Sequence, residues 1–208
     1  MATWAARNPS LAAVKHLRIL LVALLWFGVF SVGFAQGGYR ITNMDVQLKL
    51  NSDRSLDVTE TITVLFTESR QGIFREIPVE YPAASGRRQI RIDRVTVAGH
   101  ESKVTWENGN IRIRIGTKGT FLAPGTEVIY PIRYRVTGAL NFFEAREEWE
   151  PWTELYWNIT GHRWTAPVER ASFLVEFPDA GDKVQAQLYY GALGANSSLP
   201  LERSTQAQ

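Results

Sequence analysis

The sequence of 208 residues contains no cysteine and only three histidines. Without cysteine the chain has no disulfides, no thiolate metal ligands and no thiol nucleophile. His100 and His162, the histidines beyond residue 35, lie far apart and show no His-x-x-x-His spacing, so a transition-metal site has little support. We therefore expect no metal and no other cofactor. A domain that folds without disulfides fits a bacterial envelope protein better than a small eukaryotic secreted module.

Acidic residues are absent from the start of the chain, where the first is Asp45. This part contains an apolar run over residues 19–30, small residues at Gly33 and Ala35, and three basic residues: Arg7, Lys15 and Arg18. Such a pattern predicts a signal peptide over residues 1–35, cleaved after Ala35. The alternative is an uncleaved hydrophobic helix that anchors the protein. Its apolar part, residues 19–35, is shorter than the roughly 20 residues that span a bilayer comfortably.

Neither sign of charge dominates once this segment is set aside. Without its three basic residues the chain retains 20 basic and 21 acidic residues. Nucleic-acid phosphates require a concentrated cationic surface, so we expect no nucleic-acid partner. No second long apolar run occurs, so membrane contact is expected only through residues 19–35, if they are uncleaved. The length suits one domain over residues 36–180, followed by a weakly ordered tail or truncated last strands over 181–208.

Apolar and polar residues alternate with a period of two from Tyr39 onward, and no helical period exceeds two turns. Five turn-forming residues, 51–55, separate two such segments and predict a β-hairpin. Asn108-Gly109 predicts a tight turn, because both central residues of a type I′ turn need positive φ. Further strands are predicted over residues 91–97, 103–107, 110–115, 127–136, 154–160 and 168–177. We therefore predict an all-β fold, an antiparallel, immunoglobulin-like β-sandwich after an N-terminal signal or hydrophobic helix.

Pro131 lies inside the strand predicted over residues 127–136. Proline has no N–H to donate to a neighbouring strand. We therefore expect this strand to lie at the edge of its sheet or to carry a bulge.

Glu60 is the sharpest local anomaly in the alternation. It falls on the side of its strand that otherwise carries only apolar residues: Leu56, Val58, Ile62, Val64 and Phe66. A lone buried carboxylate is costly, so it needs a partner. Arg75 is flanked by apolar residues that would draw it inward, so we predict a structural ion pair between Glu60 and Arg75. The alternatives are a titrating acid in a pocket and a solvent-facing Glu60 at a bulge or sheet end.

Aromatic and acidic residues are concentrated between residues 141 and 164, where four of the seven tryptophans fall within 16 residues. Aromatic surfaces bordered by carboxylates are typical of sugar-binding modules. The candidate ligand-binding residues are Trp149, Trp152, Glu154, Trp157, His162 and Trp164. In the alternative interpretation, Trp157 and Trp164 anchor the core while Trp149 and Trp152 cover an open sheet end. A glycan hydrolase would instead need two carboxylates from residues 144–154 at a separation of about 5–10 Å.

Five segments carry a resemblance to a known family: residues 53–66, 72–78 (GIFREIP), 113–116, 130–138 and 154–164 (ELYWNITGHRW). In these the chain resembles the N-terminal extracytoplasmic domain of the DUF2207 family, the YciQ-like predicted membrane proteins. The resemblance implies a signal peptide and a β-rich domain, usually followed by transmembrane helices. No such helix follows in these 208 residues, so the resemblance predicts a fragment, a truncated relative or a freely exported form. It implies no activity.

Together these observations predict a protein exported to the periplasm or the outer face of the membrane. We expect a non-catalytic binding or interaction module of the bacterial envelope, with no catalytic residues, whose partner is an envelope protein or a polysaccharide. One alternative is an envelope glycan-acting hydrolase that uses carboxylates near Trp149 and Glu154. Another is a structural spacer ectodomain of a membrane protein.

Overall fold

The computed structural model describes residues 17–22, 37–83, 86–145, 150–161, 163–178, 185–190 and 197–199. Every regular element within these ranges is a strand, so the fold is all-β, as predicted. None of the described residues forms a helix with the length and apolar character that crossing a bilayer requires.

The strands are numbered in chain order. They are β1 (Leu17–Val22), β2 (Tyr39–Leu50), β3 (Leu56–Phe66), β4 (Ile73–Pro78), β5 (Glu80–Ala83), β6 (Gly86–Gln89), β7 (Arg91–Val97), β8 (Ser102–Glu107), β9 (Asn110–Ile115), β10 (Glu127–Thr137), β11 (Leu140–Phe143), β12 (Trp152–Asn158), β13 (Ala171–Glu176), β14 (Gln185–Tyr190) and β15 (Ser197–Leu199).

The central sheet has the order β13-β2-β3-β10-β7. The predicted hairpin is confirmed as β2 and β3, in which Leu50 lies opposite Leu56. The prediction of purely antiparallel sheets is wrong, because β13 runs parallel to β2. A short turn forces two strands to be antiparallel, whereas β2 and β13 are separated by most of the chain, which leaves their relative direction free.

Two smaller sheets follow in sequence. Strands β4, β9 and β8 form a three-stranded sheet in that order, and β5 pairs with β6. The predicted tight turn joins β8 to β9, with φ of 50° at Asn108 and 72° at Gly109. Strand β4 covers the GIFREIP segment, which the alternation alone did not identify as a strand.

The remaining sheet, here called the β12 sheet, has the order β11-β12-β1-β14-β15. It corrects the prediction of an N-terminal helix, because Leu17–Val22 form a strand that pairs in parallel with both β12 and β14. A short apolar segment adopts a strand when both of its edges find hydrogen-bond partners. Where we predicted a weakly ordered tail or truncated last strands, residues 185–190 and 197–199 form strands β14 and β15.

Pro131 is not in an edge strand, because β10 pairs with β3 on one side and β7 on the other. The carbonyl of Pro131 accepts a hydrogen bond from the N–H of Ala98, just past the end of β7 at Val97. The N–H and C=O of a strand residue point to the same side, so the missing donor faces the place where β7 stops. The predicted alternative, a bulge in this strand, is wrong as well. Strand β10 pairs with β3 without a break, and at the register shift between Arg133 and Arg135 the extra residue lies in β7.

One hydrophobic cluster joins the sheets. The cluster contains the inward residues of β2, β3 and β10, the isoleucines of β4 and β9, and residues of the β12 sheet such as Leu155 and Trp157. Alternation produces this arrangement, since each strand presents every second side chain to the cluster. In β3 the alternation is complete over eleven residues, from Leu56 to Phe66.

Candidate functional site

Glu60 and Arg75 meet inside this core. The exposed fractions of the two residues are 0% for Glu60 and 2% for Arg75. Arg75 donates from Nε to Oε2 of Glu60 and from Nη2 to Oε1, both at 2.7 Å. Because Glu60 belongs to β3 and Arg75 to β4, this two-pronged ion pair connects the central sheet to the three-stranded sheet.

Two further groups complete the hydrogen bonding of Glu60 and Arg75. The hydroxyl of Tyr134 donates to Oε1 of Glu60 at 2.6 Å, and Nη1 of Arg75 donates to the backbone carbonyl of Glu76 at 3.0 Å. Tyr134 is the member that the sequence analysis missed. Its only signal was its place on the apolar side of β10, because a tyrosine there adds a hydroxyl that needs a partner when it is buried.

The electrostatics of this cluster determine the protonation states of Arg75 and Tyr134. Burial by itself would lower the pKa of Arg75, but the charge and hydrogen bonds of Glu60 outweigh burial and raise that pKa above its usual value. Burial, followed by the charge of Glu60, raises the pKa of the Tyr134 hydroxyl well above its ordinary value. Arg75 therefore stays cationic and Tyr134 stays a neutral donor, an arrangement suited to joining two sheets.

The segment after β12 covers the guanidinium. The ring of Trp164 lies over Arg75, with 5.3 Å from Cζ to the ring centroid, and the Trp164 Nε1 donates to the Thr160 carbonyl at 2.7 Å. Gly161 has a φ of 79°, and a Cβ at this position would lie 2.3 Å from Nη1 of Arg75. The bend therefore requires glycine for its backbone conformation and for the space it leaves to Arg75.

A second close approach sets the position of β4. A Cβ on Gly72 would lie 1.9 Å from the carbonyl oxygen of Ile115, and one on Gly116 would lie 2.0 Å from that of Gln71. Two backbones therefore pass each other where a side chain would not fit. All five segments that carry the family resemblance thus contribute to one arrangement: four contain Glu60, Arg75, Tyr134 or Trp164, and the fifth ends at Gly116.

The candidate ligand-binding residues do not form one site. Trp152 and Glu154 lie half-buried on the outward side of β12, whereas Trp157 lies on its inward side and is only 4% exposed. Trp164 packs over the ion pair, as described above. Trp149 and His162 lie outside the described residues. Inward and outward positions alternate along β12, so Trp152 and Trp157, five residues apart, fall on opposite sides.

The outward side of β11 and β12, together with Arg88 of β6, forms a surface that we call the β11–β12 strip: Arg88, Asn141, Phe143, Trp152 and Glu154. Phe143 pairs with Trp152 across the strands, and their rings stack at 4.5 Å with an interplanar angle of 14°. Nδ2 of Asn141 donates to Oε2 of Glu154 at 2.9 Å, and Nη1 of Arg88 donates to Oδ1 of Asn141. The strip thus combines aromatic rings with an ordered row of polar groups.

The carboxylates between residues 144 and 154 are not brought together as a pair in the described part of the chain. Glu144 and Glu150 are exposed, and Glu154 is hydrogen-bonded to Asn141 within the strip. Glu147 and Glu148 lie outside the described residues. Among the residues that the structure does describe, no group of three or more His, Asp or Glu side chains is arranged to hold a metal ion.

Comparison with solved structures finds only distant likeness. An M1 zinc metallopeptidase from Deinococcus radiodurans is 16% identical, with a TM-score of 0.32, over 56% of this chain and 25% of that protein. A mutant of an M1 zinc metallopeptidase from the same organism, bound to a Tyr-Ser-Ala substrate, is also 16% identical, with a TM-score of 0.32, over 51% and 22%. The chain therefore spans about a quarter of the length of these enzymes, and likeness at this level carries no argument about activity.

No curated protein matches the chain. The family model described as "Predicted membrane protein (DUF2207) N-terminal domain" matches residues 40–202. This range runs from β2 to β15 and contains the ion pair, its Trp164 cover and the β11–β12 strip. Because the match covers most of the sequence, the chain belongs to the DUF2207 family.

Proposed function

We propose that this chain is a non-catalytic binding module of the bacterial envelope and that the β11–β12 strip binds an envelope polysaccharide. The observation that carries the proposal is the Phe143–Trp152 ring stack beside the Arg88–Asn141–Glu154 row. Pyranose rings present apolar C–H faces and peripheral hydroxyls. Aromatic rings suit the former, and amide, carboxylate and guanidinium groups suit the latter.

The hydrogen bonds that orient the polar groups of the strip favour binding over hydrolysis. Glu154 accepts a hydrogen bond from Asn141, and Asn141 accepts one from Arg88, so each polar group is oriented by its neighbour. Preorganised groups lose little rotamer entropy when a ligand binds. A glycan hydrolase instead requires two convergent carboxylates with different proton affinities. The hydrogen bond from Asn141 fixes the orientation of the Glu154 carboxylate within the strip.

The proposal includes export and a finer description of the fold. The basic start, apolar run and small residues of 1–35 support a signal peptide, and membership in a family of predicted membrane proteins supports a location at the membrane. Cleavage after Ala35 would remove β1 from the β12 sheet but would leave the β11–β12 pair that carries the strip. The single core shared by the sheets is compatible with an immunoglobulin-like sandwich. On this basis the strip faces the periplasm or the cell exterior.

The test is a glycan array probed with the full chain and with the Trp152→Ala variant. We expect the wild-type chain to bind a subset of envelope glycans and Trp152→Ala to lose at least about tenfold in affinity, the scale of an aromatic hot spot. The matched control is Trp106→Ala, since Trp106 is an exposed tryptophan of β8 on a different sheet.

Equal loss of binding in both tryptophan variants would contradict a site on the strip. Binding to no glycan, with both variants folded as judged by circular dichroism, would also overturn the proposal and favour the spacer hypothesis. Release of shortened glycans by the wild-type chain would overturn the non-catalytic part and favour the hydrolase.

A further inference from the structure

The outer face of the three-stranded sheet has a character unlike the rest of the molecule. The isoleucines of β4 and β9 face the core, so the alternate residues face outward: Phe74, Glu76, Arg112, Arg114, Lys103 and Thr105. The guanidinium of Arg112 lies over the ring of Phe74 at 4.1 Å. We call this outer face, together with the adjoining loop residues Arg70 and Phe121, the cationic face.

Two like charges lie directly opposite each other on this face. Arg114 of β9 pairs with Phe74 of β4 on one side and with Lys103 of β8 on the other. In the described part of the chain neither Arg114 nor Lys103 has a carboxylate within ion-pair distance. Like charges directly opposite in a sheet are destabilising. A bound anion would therefore reduce the repulsion between Lys103 and Arg114.

A pocket adjoins this row. It has a volume of about 390 Å³ and is lined by residues 68–74, Arg114, Ile115 and Phe121. Gly72, one side of the close Gly72–Gly116 backbone approach, lines this pocket, and Nη1 of Arg114 donates to the carbonyl of Gly116 at 2.9 Å. Phe121 is 62% exposed and Phe74 is 46% exposed, so two aromatic rings project beside the cations.

Positive charge is in excess on and beside this face. The cations are Arg70, Lys103, Arg112, Arg114, Lys118 and Arg163, and the carboxylates are Glu68, Glu76, Glu101 and Glu107. Arg112 contacts both Glu76 and Glu107, at 3.4 and 3.2 Å, so Arg114 and Lys103 carry much of the excess. The chain beyond residue 35 is almost neutral, which makes this concentration local rather than general.

We propose that the cationic face docks on a bilayer surface rich in anionic phospholipid. Lys and Arg near a membrane gain energy from anionic headgroups, and exposed phenylalanines gain it from the interface beneath them. A polyanion without an apolar face, such as inorganic polyphosphate, would use the cations but offer nothing to Phe74 and Phe121. The matched family is described as predicted membrane proteins, which supports a bilayer as the partner of this face.

The experiment measures partitioning of the full chain onto vesicles of phosphatidylcholine with and without 30% phosphatidylglycerol. All variants share residues 1–35, so any contribution of that segment cancels. The Lys103→Gln/Arg114→Gln variant removes two cations near the surface, and we expect partitioning onto the anionic vesicles to fall about 30-fold at low salt. The loss should shrink as salt is raised, because the attraction is screened.

The matched control is Lys49→Gln/Arg133→Gln, which removes two exposed cations from the outer side of the central sheet. It changes the net charge by the same amount, so it reports the effect of total charge alone. If the cationic face makes the contacts with the bilayer, we expect this control to lose less than about threefold in partitioning. An equal loss in both double variants would overturn the proposal. Unchanged partitioning of Lys103→Gln/Arg114→Gln would overturn it as well.

A further variant separates a lipid surface from a soluble polyanion. Phe121→Ser keeps every charge and alters an exposed side chain, so the fold should persist. We expect it to bind anionic vesicles several-fold more weakly and to bind inorganic polyphosphate as the wild-type chain does. If Phe121→Ser leaves vesicle binding unchanged while Lys103→Gln/Arg114→Gln loses both ligands, the face binds polyanions and the bilayer proposal fails.

Discussion

Two clusters in this molecule use the same chemistry in opposite settings. Each combines a glutamate, an arginine and a tryptophan: Glu60, Arg75 and Trp164 in the core, and Glu154, Arg88 and Trp152 on the β11–β12 strip. The core carboxylate is fully enclosed and bonded directly to its arginine, whereas Glu154 is half-buried and reaches Arg88 only through Asn141. Burial, rather than residue type, therefore decides whether such a cluster joins two sheets or stays accessible at the surface.

The largest expected effect comes from breaking the core pair on one side only. Glu60→Leu or Arg75→Leu leaves an uncompensated charge or an orphaned polar group in the core, so we expect each to reduce the free energy of unfolding by about 3–5 kcal/mol. Urea denaturation followed by tryptophan fluorescence measures this loss.

The double variant Glu60→Leu/Arg75→Leu is the control for this prediction. It removes both charges, so its loss should be clearly smaller than the sum of the two single losses. Simple additivity would show that the two side chains do not act as a pair.

The next effect concerns the glycine that makes room for Arg75. Gly161→Ala places a Cβ 2.3 Å from Nη1 of Arg75. Two hydrogen bonds hold this guanidinium to Glu60, so a shift that relieved the clash would disturb the ion pair. Gly99→Ala is the matched control, with a φ of 75° and no atom within 4 Å of its Cβ. We expect Gly161→Ala to cost about 1–3 kcal/mol more than Gly99→Ala in thermal or urea unfolding. Equal losses would mean that only the backbone conformation matters.

A smaller effect should appear at alkaline pH. Burial raises the pKa of Tyr134 in the folded state, so its stabilising contribution is complete below about pH 10, the ordinary tyrosine pKa, and is lost progressively above it. We expect the free energy of unfolding of the wild-type chain to fall as the pH rises from about 10 to 12. Tyr134→Phe should start lower, because Glu60 loses a hydrogen bond, and should fall less steeply. An equal slope in both proteins would contradict the contribution of Tyr134.

The smallest effect is expected on the strip. Glu154→Gln exchanges a half-buried carboxylate for an amide of the same shape, so we expect stability to change by less than about 1 kcal/mol. Urea denaturation in parallel with Glu60→Gln gives the direct comparison. A loss at Glu154 as large as that at Glu60 would remove the distinction between the two clusters.

The sequence predicted the features that depend on local periodicity. Alternation placed Glu60 among apolar neighbours on β3, and the nearby Arg75 offered the compensating charge, because a period of two assigns alternate residues to opposite faces of a strand. The β2–β3 hairpin and the Asn108-Gly109 turn followed from turn chemistry. Tyr134 and the Trp164 cover could not be predicted, since nothing in their local sequence specifies which distant strand they contact.

The sequence by itself determined which residues share a face of a strand, where the tight turns lie and that an enclosed acid requires a base. Only the tertiary structure decided which faces point inward, that β13 runs parallel to β2, and that Trp157 lies in the core while Trp152 lies outside. The physical reason is that alternation is a property of one strand. The identity, direction and side of its neighbours depend on contacts between segments far apart in the chain.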